Sequence, residues 1–124
     1  MKKEESLQLA LSNYLRLQYK NVLFNVDLSG IRLSIGQARK AKKLRSGRSF
    51  PDMVIYHINS DYSALFLELK SKSPFKKDGS LLKNEHLEEQ QNMLDRLNDE
   101  GYKACFIWSF EQGKRIIDEY LTKF

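Results

Sequence analysis

Three residues of this 124-residue chain have the types and spacing for phosphate chemistry: Asp52, Glu68 and Lys70. They lie in the stretch PDMVIYHINSDYSALFLELK, residues 51–70, which reads as two β-rich runs, 52–58 and 63–70, joined by the polar turn 59–62. In the second run Leu65, Leu67 and Leu69 share one face, and Phe66, Glu68 and Lys70 share the other. Asp52 opens the neighbouring antiparallel strand, so its carboxylate can lie next to Glu68. Two carboxylates and an ammonium group converging at a strand end can hold a divalent cation and a water beside a phosphate. Glu-x-Lys alone is weak, because 9 Glu and 14 Lys make one chance occurrence expected in a chain of this length. Its weight comes from ending an apolar strand directly after one that Pro-Asp opens. The competing reading is a surface ion pair on an ordinary hairpin.

The flanking elements must position these groups. Residues 4–18 read as an amphipathic helix with Leu7, Leu11, Tyr14, Leu15 and Gln18 on one stripe. Projection at 100° per residue puts Glu4 and Gln8 on that inward stripe and Glu5 about 100° away. A carboxylate there needs a partner, although complementing the helix dipole would explain either glutamate. Residues 21–27 read as a short strand, 30–35 as a candidate second one, and 37–45 as a basic helix or an ordered loop. After a loop at 71–83, Asn84 can cap a helix running to about Glu100 and stopped by Gly101. Its buried face is Leu87, Leu94 and Leu97, with Gln90 inside that face and Gln91 at its edge. A glutamine amid leucines calls for a hydrogen-bonding partner, which backbone or water could also supply. The run 102–108 is apolar on both faces and is expected to be a central strand. A closing helix, 111–124, packs Ile116, Ile117, Tyr120, Leu121 and Phe124 inward. The order α-β(β)-β-β-α-β-α gives a mixed sheet flanked by helices in the α/β or α+β class, as one domain over 1–124, with the strands at 63–70 and 102–108 parallel.

Composition narrows the function classes. The net charge of +5 is uneven: residues 28–51 hold seven basic side chains and no acid (Arg32, Arg39, Lys40, Lys42, Lys43, Arg45 and Arg48), against 14 basic and 16 acidic residues elsewhere. Lys72, Lys76 and Lys77 add charge in the loop leaving Lys70. Such a segment suits an anionic partner, with nucleic acid first, and a solubilising loop is the plain alternative. The single cysteine, Cys105, excludes a disulfide scaffold and a cysteine-based zinc site. No phosphate-binding glycine loop, serine-nucleophile elbow, paired-histidine spacing or ~20-residue apolar span occurs. His57 reads as a strand surface residue, and His86 as at most a phosphate contact. The expected setting is cytoplasmic.

Four features then line up: an inward Glu4, Pro51-Asp52, the strand-borne Glu68-Leu69-Lys70, and an inward Gln90 followed by Leu97 and Gly101. This resembles the PD-(D/E)xK nuclease superfamily, and within it the virus-type replication-repair nuclease (VRR-NUC) family in its short stand-alone form. The resemblance covers nearly the whole chain and implies a restriction-endonuclease-like fold. One departure is Ser49, where the family usually has glycine two places before Pro-Asp. The resemblance implies that Asp52, Glu68 and the Leu69 carbonyl bind Mg²⁺ or Mn²⁺, with Glu4 reaching the ion through water or helping to hold a second one. Lys70 would position the attacking water, and Gln90 would orient Lys70 or that water. The expected activity is metal-dependent endonucleolytic cleavage of branched or non-duplex DNA, with the basic segments on the backbone and a homodimer as the working unit. The alternatives are a non-catalytic DNA-binding module on the same fold, or a Holliday-junction resolvase or restriction-type nuclease of the superfamily.

Overall fold

The computed structural model describes residues 2–27 and 34–124. Its elements are α1 (Lys3–Gln18), β1 (Leu23–Val26), α2 (Ile35–Leu44), β2 (Met53–Tyr56), β3 (Leu65–Leu69), α3 (Glu85–Asp99), β4 (Lys103–Ile107) and α4 (Phe110–Leu121). The strands form a sheet in the order β1-β2-β3-β4, with the first two pairings antiparallel and β3–β4 parallel. This is the expected mixed sheet flanked by helices. Of the basic segment 37–45, the structure selects the helical reading. Ser34 caps α2 by accepting from the Gln37 N–H at 3.1 Å, and the Gln37 side chain accepts from the Ser34 N–H at 2.9 Å. The candidate strand 30–35 falls mostly on residues 28–33, outside the described residues, and its last residue, Ile35, begins α2 instead.

Alternation along β3 builds two layers. Leu65, Leu67 and Leu69 pack with Met53, Ile55, Ile107, Leu11, Leu15, Ile117 and Tyr120, which places α1 and α4 on one face. These helices approach closely: a Cβ on Gly113 of α4 would lie 2.8 Å from Leu11 Cδ2. On the other face Phe66 joins Leu94 of α3, Ala104, Phe106, Phe75 and Trp108. Covering both faces with helices explains why β4 is apolar on both, and also why that pattern misleads, since among the described residues β4 is an edge strand and not a central one. Periodicity also overreaches at helix ends. Gln18, expected on the inward stripe, is exposed at the last turn of α1, and Phe124 is fully exposed beyond α4. His57 follows β2 and is half-buried, with its ring edge-on to Tyr120 at 6.2 Å, rather than an open surface residue. Asn84 caps α3 by accepting from the Leu87 N–H at 3.1 Å, and Gly101 adopts φ 99° just after it, as its position predicts.

Candidate active site

β2 and β3 pair with Met53 opposite Leu67, so one step further along Asp52 comes to lie beside Glu68. Asp52 Oδ2 accepts the Leu69 N–H at 2.7 Å, which ties the start of one strand to the end of the other. Glu68 is only 5 % exposed, beneath α3, and its Oε1 accepts from Gln90 Nε2 at 2.6 Å. Gln90 itself is 6 % exposed, and its Oε1 accepts from Lys70 Nζ at 3.1 Å. The glutamine called out by the leucine stripe thus has its partner, and one amide joins the carboxylate to the ammonium. A surface ion pair does not describe Glu68. Gln91, at the edge of the face, donates instead to Asp95 Oδ1 at 2.9 Å.

Burial is the main cause that pushes Glu68 up to about 9, with Asp52 adding to it and Lys70 opposing. Asp52 is raised for the same leading reason, against the stabilising Leu69 N–H. Both carboxylates also feel Glu4 and Asp27. The two acids are therefore short of positive charge. Among the described residues no three His, Cys, Asp or Glu side chains gather into a ready-made metal cluster. The donor set fits a hard cation that keeps much of its water, because Mg²⁺ is commonly held by one or two carboxylates and completed by water and phosphate.

An open cleft of about 500 Å³ runs past this pair, walled by Glu4, Arg45, Lys70, His86 and Gln90. Glu4 is exposed at the first turn of α1 rather than buried, but it lies on this cleft, and Glu5 shares with Glu4, Asp27, Asp52 and Leu69 an adjoining smaller cavity of about 120 Å³. Gln8, one turn on, donates to the Asp52 carbonyl at 3.4 Å. Asp27 was missed in the sequence. The Val26–Met53 register brings it beside Asp52, whose carbonyl accepts the Asp27 N–H at 2.7 Å, and its side chain lines the cleft. Alternation in 21–27 followed by an acid was the signal available. Arg45, counted with the basic segment, is exposed and also pairs with an acid of the cleft, its Nη2 lying 2.8 Å from Asp27 Oδ1. Arg39, Lys40, Lys42 and Lys43 are exposed on α2, which has no buried residue, and Arg48 is exposed beyond it. Lys72, Lys76 and Lys77 are exposed on the loop after β3, and Arg32 lies outside the described residues.

Ser49, on the cleft wall, has φ 62°. That left-handed conformation is one glycine adopts freely, which is a physical reason for the glycine that the resemblance leads one to expect at this place. Among the described residues no helix is long and apolar enough to cross a membrane.

No protein-family model and no curated protein matches the sequence. Solved structures do match. One, titled "VRR_NUC domain protein", superposes with a TM-score of 0.66 at 17% identity over 95% of this chain and 87% of its own. Another, titled "VRR_NUC domain", gives 0.58 at 18% identity over 97% of this chain and 99% of its own. The chain has the fold of these proteins.

Proposed function

We propose that the protein is a VRR-NUC-type, metal-dependent endodeoxyribonuclease that hydrolyses phosphodiester bonds in branched or otherwise non-duplex DNA. The observation that carries this reading is the buried Glu68 beside Asp52, linked through Gln90 to Lys70. Asp52, Glu68 and the Leu69 carbonyl would hold Mg²⁺ or Mn²⁺, with Glu4 at the cleft mouth in reach through water. When bound, the ion neutralises charge on a phosphodiester and makes water a better nucleophile at neutral pH. Lys70 orients the attacking water and offsets charge that grows on the phosphate oxygens. Gln90 holds Lys70 in place, and its own amide is fixed by Glu68. α2 and the loop 71–83 supply phosphate contacts, which carry no base information, so the selectivity is for DNA shape. Symmetric branched substrates suit a homodimer.

The test is a cleavage panel of supercoiled, single-stranded, flap and four-way-junction DNA with Mg²⁺ or Mn²⁺. Wild type should cut at least one branched form, and Asp52→Asn and Glu68→Gln should not. Metal-dependent binding with no cleavage of any form by wild type would leave a DNA-binding module instead. Cutting confined to four-way junctions would indicate a resolvase.

A further inference from the structure

A second cavity of about 220 Å³ adjoins the cleft, between the loop leaving β3 and the start of α3. Lys70, Ser71, Lys72, Ser73, Asn84 and His86 supply its polar wall, and Pro74, Leu82 and Leu87 its apolar floor. Glu4 stands at its border with the cleft, which it also lines, as do Lys70 and His86. A groove with ammonium and hydroxyl groups on one side and aliphatic carbons on the other matches a phosphate joined to a nucleoside.

His86 connects the two spaces, and its proton can be placed from its neighbours. Lys70 can only donate, so the Gln90 atom facing it is the amide oxygen. Gln90 Nε2 is then a donor, toward Glu68 and toward His86 Nε2 at 3.2 Å. His86 Nε2 must accept, which leaves the ring proton on Nδ1 as a donor for a ligand. We propose that this cavity is a second phosphate subsite, taking the nucleotide next to the one at Asp52 and Glu68, with Lys72 and His86 Nδ1–H as its donors. It rests on the nuclease reading only for which nucleotide is placed there. Glu4 separates the two phosphate positions electrostatically, and Lys72 sets the sign of the second one.

The probe is thymidine 5′-monophosphate, titrated into the full chain in EDTA and followed by backbone amide shifts and by calorimetry. Shifts should concentrate at residues 71–74 and 84–87. Lys72→Ala and His86→Ala should each weaken binding by about threefold to tenfold, as expected for one partly exposed charged or polar contact. Lys72 and His86 are exposed, so both variants should keep the wild-type circular dichroism and denaturation midpoint. Shifts confined to α2, or affinity unchanged in both variants, would overturn the subsite. Because no metal or cleavage is involved, a protein inactive on every DNA could still show it. An active nuclease that binds no nucleotide here would overturn the subsite alone.

Discussion

Glu68 provides a test of the site that needs no substrate. In the metal-free protein burial pushes its carboxyl from 4.5 up to about 9, with Asp52 as the second cause. The folded chain therefore keeps a proton that the unfolded chain releases. Across that window the native state binds more protons, so stability falls as pH rises, and this contribution is complete below about 4.5 and lost by about 9. One proton corresponds to about 1.4 kcal/mol per pH unit, so between pH 6 and pH 8 wild type should lose on the order of 2–3 kcal/mol from this group. Asp52, also raised, acts with the same sign. Urea unfolding in EDTA at pH 6, 7 and 8 measures this directly, and Glu68→Gln is the control that removes one titrating group while keeping a hydrogen-bond acceptor for Gln90. The variant's curve should be flatter by most of that amount. Adding Mg²⁺ should restore wild-type stability most at the highest pH, since ligand carboxylates must be ionised. Parallel pH curves for the two proteins would refute the buried-acid account.

Gln90→Ala should lower single-turnover cleavage strongly while Gln91→Ala changes it little, because only Gln90 touches Glu68 and Lys70. Replacing Arg39, Lys40, Lys42 and Lys43 by Ala should weaken binding to all DNAs and flatten the slope of log affinity against log salt by up to about 3.6 on duplex DNA, whereas a solubilising helix would leave both unchanged. Ser49→Gly should hold or raise the denaturation midpoint, and Ser49→Val should lower stability by about 1–2 kcal/mol, since its φ of 62° is costly for a β-branched residue. Calcium, a dication that fills oxygen sites, should tighten wild-type DNA binding relative to EDTA, and Asp52→Asn should remove that dependence, as fluorescence anisotropy would show.

What could be read from the sequence was what depends on one element at a time. Projection along α3 put Gln90 rather than Gln91 on the buried face, and alternation along β3 separated Glu68 from the leucines, whereas projection along α1 put Glu4 on a buried stripe and the structure exposes both Glu4 and Glu5. Features that depend on pairing were not legible. Asp27 becomes part of the cleft only through the β1–β2 register, and nothing in residues 21–27 states that register. Arg45 looked like one more cation in a basic run, yet its position after α2 also pairs it with Asp27. The strand 102–108 showed that apolarity reports how many faces are covered rather than how many strands lie alongside.

The charges are sorted by depth, and that ordering favours a cation-assisted reaction on a polyanion over passive binding. Glu68 and Asp52 sit inward with Glu4 and Asp27 near them, while Arg39, Lys40, Lys42 and Lys43 on α2 and Lys72, Lys76 and Lys77 on the loop after β3 are exposed. A module that only bound DNA would gain from the reverse arrangement, because inward carboxylates repel phosphate. They also cost the fold stability as pH rises, since a carboxyl so buried is strongly penalised once it ionises unless paired. β3, which buries Leu65, Leu67 and Leu69, also carries this unfavourable acid near its end, and Gln90 is buried beside it to hold Lys70 in place. Local conflict of that kind, supported by a second layer of hydrogen bonds, is expected where a site is built for a ligand that the protein alone does not contain. A bound dication would resolve it and at the same time make the cleft more favourable to phosphate.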